Sequence, residues 1–305
     1  MKNVITDTIF NERIIEKSLL ASTIALAIAA CSGGGVGGVA GIGGSGFISS
    51  GTVTGFGSVF VNGVEFETSN TVFDIDDSGT GIESDLAIGM VVTVNGTVNA
   101  DGVTGTATSI SYDDQLEGPV SNLSAPDADG SSRTFSTLGT TVRISSLNTV
   151  YDVTGALPVT PFSFDQIANG NSVEISGFFN SAGELIATRV ELKATTFSTS
   201  NIVELKGTVT GYTGTSSPFT LTNFPGISIN ASAAIIDDLP VGITNGDFVE
   251  VKGTCSDSAC STLNATRVEG EDGFDDADKI SVEGLITDFD DISNFKINGI
   301  NVDAT

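Results

Sequence analysis

The chain has 305 residues and is acidic, with 38 Asp and Glu against 12 Lys and Arg and a net charge of −26 at neutral pH. Such a surface repels phosphate backbones, so nucleic acid is not an expected partner. The chain contains no histidine, which excludes catalytic triads and metal sites built on imidazole.

Residues 1–30 have the pattern of an export signal. Basic residues precede an apolar run at 18–30, which is shorter than the roughly 20 residues needed to span a bilayer. The run ends in Ile-Ala-Ala followed by Cys31 and is similar to a bacterial lipobox, in which that cysteine is lipidated and becomes the new N-terminus. We therefore expect the membrane to be a partner through lipid on Cys31. Ser32 at the next position favours the outer membrane of the cell envelope as the location.

Residues 31–50 join the predicted lipid anchor to the rest of the chain. Gly and Ser dominate this segment, and a tract of this composition behaves as a flexible coil because it cannot bury a core. We expect a linker that lifts the following domains off a lipid surface.

One eight-residue pattern, Gly-x-x-Val-x-(Val/Ile)-x-Gly, occurs at 89–96, 170–177 and 246–253. Its β-branched residues alternate with polar ones, which predicts a half-buried β-strand. The bounding glycines are predicted to mark turns out of the sheet. The polar positions predicted to face water are Thr93, Asn95, Glu174, Ser176, Glu250 and Lys252.

Further elements surround each copy of the pattern. A short strand and a hairpin precede it, and Asn-Gly pairs at 62–63 and 298–299 predict two of the hairpin turns. An irregular or helical crossover then carries Leu86, Ile167 or Ile243, and a last hairpin follows the pattern. About five strands per unit predict an all-β protein of tandem small OB-like Greek-key barrels. SH3-like barrels are the alternative.

The spacing of these elements gives the domain organisation. Asp113-Asp114 and Thr195–Asn201 are interpreted as solvated linkers because they are acidic or polar. The predicted units are repeat 1 at 51–113, repeat 2 at 114–194, repeat 3 at 202–270, an acidic linker at 271–280 and an incomplete repeat 4 at 281–305.

The run from Gly51 to Thr68, GTVTGFGSVFVNGVEFET, follows the lipobox and the glycine tract. Together with later pieces such as Gln115–Val120, it resembles a domain-of-unknown-function family, number 5666, found in tandem copies in bacterial lipoproteins. The resemblance implies an OB-like fold and an envelope location. It implies no activity and no catalytic residues.

The segment from Asp74 to Asp85 partly matches a calcium-binding loop. The matching positions are Asp74, Asp76, Ser78 and Gly79. Gly81 and Asp85 depart from the pattern, because an apolar residue and a bidentate Glu are usual there, and no helices flank the loop. We interpret the segment as an acidic turn and expect no metal and no cofactor.

Cys255 and Cys260 flank four residues at the turn of the last hairpin of repeat 3. Residues that face each other across such a turn have Cα atoms about 4.5–5.5 Å apart, which is within disulfide range. Export supplies an oxidising compartment, and two thiols without further ligands make a poor zinc site. We therefore predict a disulfide.

Three functions are compatible with these features. The favoured one is a membrane-anchored lipoprotein that presents β-domains as a structural or interaction module to an envelope protein. A carbohydrate-binding module for an envelope polysaccharide is the alternative, weakened by the absence of Trp and the presence of only three Tyr. An enzyme is not expected, because the carboxylates are scattered and no Ser lies in a nucleophile elbow.

Overall fold

The computed structural model describes residues 47–76, 80–155, 157, 161–214, 217–271, 279–298 and 300–305. Cys31 and the predicted signal and lipobox therefore lie outside the described residues, as does most of the 31–50 linker. Regular structure in the described part consists of β-strands and one 3-10 turn at Glu83–Asp85. No helix in these ranges has the length and hydropathy needed to cross a bilayer.

The first unit is a closed five-stranded barrel with one additional short strand. Its strands are β1 (Phe47–Gly55), β2 (Val59–Val61), β3 (Val64–Glu67), β4 (Val72–Ile75), β5 (Val91–Val98) and β6 (Thr104–Tyr112). Antiparallel pairs join β1 to β2, β2 to β3, β6 to β5 and β5 back to β1, while β3 runs parallel to β6. This order is that of a Greek-key barrel of OB type.

The second and third units repeat the first strand for strand. The second contains β7 (Leu116–Ser121), β8 (Ser132–Thr137), β9 (Thr140–Ser145), β10 (Val150–Val153), β11 (Ser172–Phe179) and β12 (Leu185–Ala194). The third contains β13 (Ile202–Thr210), β14 (Phe219–Leu221), β15 (Phe224–Asn230), β16 (Ile235–Asp237), β17 (Phe248–Cys255) and β18 (Thr262–Gly270). Both barrels close through the same strand pairs as the first. The pairs are antiparallel, except that the third strand and the additional strand each run parallel to the last strand of the unit. The predicted class of tandem OB-like barrels is confirmed, and the SH3-like alternative is not adopted.

The crossover between the third and fourth barrel strands differs in part from the prediction. Leu86, Ile167 and Ile243 are buried, so each plugs its barrel. The crossover is not merely irregular, however, because β4, β10 and β16 each add a parallel strand beside the last strand of the unit. These strands of three or four residues are too short to show a clear alternating pattern.

The two glycines of the eight-residue pattern have different roles. Gly89, Gly170 and Gly246 have φ of +90°, +89° and +102°, so they form the predicted turns. The closing glycine does not lead out of the sheet, which corrects the prediction. It lies inside its strand at a β-bulge, where the partner strand comes too close to admit a side chain.

The final segment contacts the first barrel. Its strands are β19 (Lys279–Val282), β20 (Ile286–Asp291), β21 (Asn294–Ile297) and β22 (Ile300–Val302). β19 begins within the predicted acidic linker and pairs in parallel with β1, from Phe47–Lys279 to Ser50–Val282. β1 itself starts within the predicted glycine linker. The strands β20–β22 form a separate small sheet.

The predicted Asn-Gly turns lie at hairpin tips. Asn62 and Gly63 both have positive φ, 54° and 77°, as a tight hairpin turn requires. Asn298 has φ of 49°, and Gly299 lies outside the described residues.

Cys255 and Cys260 are joined by a disulfide in the structure, with Cα atoms 4.8 Å apart. Both are buried at the end of the barrel core of the third unit. Because the closed loop is so short, we expect the bond to contribute only about 2 kcal/mol on the chain-entropy model. The measurement is alkylation of the denatured, non-reduced protein isolated from cells. Neither cysteine should take up the label, and labelling of both would show that the bridge is absent.

Candidate functional site

The candidate site is a row of charged side chains across the outer faces of the second and third barrels. The two barrels are joined edge to edge, because β7 pairs antiparallel with β13 through Leu116–Leu205 and Glu117–Glu204. Residues directly opposite each other on neighbouring strands project from the same face. Following the register through six strands gives the charged row: Glu191, Glu174, Glu117, Glu204, Lys252 and Arg267.

The charged row is largely removed from water. Glu174, Glu117 and Glu204 are 4%, 7% and 2% exposed. Glu250, on the same face, is 2% exposed. The prediction that Glu174, Ser176 and Glu250 face water is therefore wrong. The strand period was identified correctly, but this part of the outer face of the second and third barrels is covered by neighbouring parts of the chain.

The first barrel provides part of that cover. Tyr112, the last residue of β6, donates a hydrogen bond to Oε1 of Glu174 at 2.5 Å, and its hydroxyl lies 3.1 Å from Oγ of Ser176. Burial beside Glu174 raises the pKa of Tyr112, so it remains a donor. At the rim, Thr188 donates a hydrogen bond to the carbonyl of Gly89 at 2.6 Å.

Asp114 lies two residues after Tyr112 and is 1% exposed, so the interpretation of Asp113-Asp114 as a solvated linker is wrong for its second residue. By contrast, Thr195–Asn201, which connects the second and third barrels, is mostly exposed as predicted. The difference arises because the first connection passes beneath the charged row.

Three lysines neutralise part of the buried negative charge. Lys193 lies 2.6 Å from Glu174, and Lys252 lies 2.8 Å from Glu204. The third pair, Lys206 and Glu250, is also separated by 2.8 Å. Burial disfavours charge on the ammonium groups, but the adjacent glutamates outweigh it and raise the pKa of all three lysines.

Two buried carboxyls have no basic partner. In the described ranges, no Lys or Arg nitrogen within 4.0 Å of Asp114 or Glu117 is found. Burial, followed by the nearby charge of Glu204, raises the pKa of Asp114 well above its ordinary value. Burial raises the pKa of Glu117 to about 8, with Lys193 opposing and Glu174 reinforcing the shift. The junction therefore holds two carboxyls that resist ionisation.

A pH dependence of stability follows from these shifts. A carboxyl with a raised pKa binds its proton more tightly in the folded chain, so stability falls as pH rises between its unfolded and folded values. For Glu117 that window runs from 4.5 to about 8. In buffers free of divalent cations, we expect the unfolding free energy to decrease across this range. Glu117→Gln should flatten the profile, whereas exchange of the exposed Glu67 for Gln should not. A profile that rises through the window would contradict the assignment.

The acidic segment predicted as a turn lies beside this junction. Asp74 is an exposed residue of β4, while Ser78 and Gly79 lie outside the described residues. Asp76 keeps access to water, yet partial burial and the nearby charge of Glu174 raise its pKa to about 6. Asp85 belongs to the 3-10 turn and accepts a hydrogen bond from the backbone of Ile82. Among the described residues of this segment, Asp76 is therefore the one that lies near Glu174 of the charged row.

A repeated triplet in the sequence marks the strands of the site. Glu-Leu-Lys occurs at 191–193 and 204–206, and Glu-Val-Lys occurs at 250–252. Each triplet places both charges on the outer face of a strand and the apolar residue in the core. The chain has only 12 Lys and Arg, and several of them lie in these triplets beside a Glu. This pairing of Glu with Lys on neighbouring strands was the sequence signal that these faces pack together rather than face water.

A cleft lies between the second and third barrels, apart from the charged row. It is an open cleft of about 550 Å³, lined by apolar groups that include Leu138, Phe197 and Ile227. Leu138 occupies the turn between β8 and β9, with φ of 54°. The described residues that line the cleft offer a largely apolar surface and include no acidic or basic side chain.

A match to a family model agrees with the repeat structure of the first two barrels. The family model "Domain of unknown function (DUF5666)" matches residues 45–111 and 117–191, so the first two barrels each match that domain. The resemblance noted in the sequence is confirmed for these segments. The third barrel lies outside the matched ranges but has the same strand order.

Among curated proteins, none matches this chain. A solved structure described as "drosophila Unr CSD456" is 15% identical, with coverage of 68% of this chain and 84% of the other and a TM-score of 0.20.

Proposed function

We propose that this chain, which carries two tandem DUF5666 domains, is a lipid-anchored protein of the bacterial cell envelope that presents joined barrels as an interaction module. The observation that carries the proposal is the junction. Barrels connected only by flexible linkers would move independently, whereas strand pairing and buried ion pairs favour a fixed arrangement. A fixed arrangement suits a surface that must offer the same contacts to a partner each time.

The partner that fits this proposal is an envelope protein. The cleft between the second and third barrels supplies apolar groups for contact, and clefts at domain junctions are frequent binding sites. The net charge of −26 disfavours nucleic acid.

The anchor has a direct test. Cys31→Ser removes the thiol that would carry the lipid, so we expect the protein to leave the membrane fraction or to accumulate unprocessed. The measurement is incorporation of labelled palmitate together with membrane fractionation. Equal labelling of variant and wild type would refute lipidation at Cys31.

The interaction role is tested by crosslinking the full-length chain in cells and identifying the captured protein. Leu138→Ser in the cleft should reduce capture, and Leu147→Ser is the matched control because that side chain is 80% exposed in another turn. Equal capture by both variants would remove the cleft from the proposal. A glycan array with the purified chain tests the polysaccharide alternative, and saturable glycan binding without protein capture would replace the interaction role.

A further inference from the structure

The two unpaired carboxyls at the junction point to a ligand. Asp114, Glu117 and Glu174 each place a carboxylate oxygen within 4.8 Å of those of the other two, and all three residues are buried. Glu117 and Glu174 are direct partners on adjacent strands, where like charges repel.

Asp114 supplies an independent observation. Both of its carboxyl oxygens are buried, and no donor group is found for either within the described residues, so only a proton on Asp114 itself gives it a hydrogen bond, to Glu204. Its neighbour Glu204 is another carboxyl, with one oxygen in the same condition. A buried acceptor without a donor is destabilising unless a proton or a cation lies against it.

The charges of the surrounding side chains indicate the valence of the cation that would fit this site. The three lysines match Glu174, Glu204 and Glu250. When Asp114 and Glu117 give up their protons, they carry two negative charges that no lysine matches, and one divalent cation would neutralise both. The donor set consists only of oxygen atoms, which hard cations such as calcium and magnesium prefer.

We propose that Asp114, Glu117 and Glu174 bind one calcium ion at the junction of the barrels. Calcium accepts irregular coordination by protein carboxylates, whereas magnesium demands near-octahedral geometry and keeps several waters, so a buried site lined by three carboxyls favours calcium. The three ligands come from the connection after β6, from β7 and from β11. The ion would therefore hold the first barrel against the second and replace the protons that these carboxyls otherwise retain.

The test is isothermal titration of the purified full-length chain with calcium chloride, combined with thermal unfolding at about 1 mM calcium, a concentration typical of extracellular sites. We expect one ion per chain and a rise in Tm of several degrees. Magnesium at the same ionic strength should produce a smaller rise, and sodium chloride should produce none. Binding should strengthen as pH rises, because calcium competes with protons.

Matched variants locate the site. Asp114→Asn and Glu117→Gln should each weaken calcium binding at least about tenfold, and both should fold without calcium because they remove buried repulsion. Asp74→Asn, in the acidic segment that resembles a calcium loop, should bind as the wild type does. The proposal is overturned if wild type shows no calcium-dependent rise, if both junction variants retain the rise, or if Asp74→Asn abolishes it. Stability that depends on pH but not on calcium would show that these carboxyls hold protons only.

Discussion

Lys252→Met is expected to lower the free energy of unfolding by about 3–5 kcal/mol, the range for removing one partner of a buried ion pair. Lys252 lies 2.8 Å from Glu204, which is 2% exposed and pairs on its other side with Glu117. Methionine preserves most of the side-chain volume but removes the charge. Glu204 would then remain in a row of glutamates without its ammonium partner.

Two comparisons isolate the electrostatic effect. Lys296→Met removes a lysine that is 39% exposed and pairs with the exposed Asp288, so its effect should stay within about 1 kcal/mol. Adding Glu204→Gln to Lys252→Met removes the stranded charge and should recover most of the loss. Urea unfolding at neutral pH provides the measurement. Similar losses for Lys252→Met and Lys296→Met would mean that the charged row does not support the junction.

The fold was predictable because its signals are local. Alternating Val and Ile in the eight-residue pattern defined the fourth barrel strand of each unit, and Asn62-Gly63 located a hairpin tip. These signals depend only on the period of a strand and on the conformation of a turn. Each unit could therefore be recognised without its neighbours.

The site was not predictable in the same way because it depends on contacts between units. Glu174 and Glu250 alternate with buried Val and Ile residues, as solvent-facing residues do on an isolated barrel. Tyr112 of the first barrel covers Glu174, and Lys206 on the neighbouring strand lies against Glu250. A single-strand pattern contains no information about which of its two faces a separate barrel will cover.

The closing glycine of the eight-residue pattern leads to the second large effect. Gly177→Ala is expected to lower the free energy of unfolding by about 3 kcal/mol, at the upper end of the usual range for overpacking. A Cβ atom at Gly177 would lie 2.2 Å from the carbonyl oxygen of Ile186 and 3.0 Å from Cα of Ala187. Both atoms belong to the backbone of β12, so the clash cannot be relieved by a side-chain rotation.

The closing glycine lies equally close to the backbone of the neighbouring strand in the other two barrels. This explains why the pattern ends in glycine each time. A Cβ at Gly96 would lie 2.1 Å from the carbonyl of Thr106, and one at Gly253 would lie 2.3 Å from that of Asn264. In each unit the glycine follows a bulge between the fourth and fifth barrel strands. The bulge increases local twist and so helps a short sheet close into a barrel.

Gly226→Ala is the matched control for Gly177→Ala. No atom lies within 4 Å of a Cβ built at Gly226, and its φ is not positive. Alanine there restricts the unfolded chain without a clash, so stability should stay unchanged or rise by up to about 1 kcal/mol. Chemical denaturation of both variants, with circular dichroism as the signal, gives the comparison. If Gly177→Ala were as stable as Gly226→Ala, β11 and β12 would not approach as closely as the bulge requires, and the glycine would need another explanation.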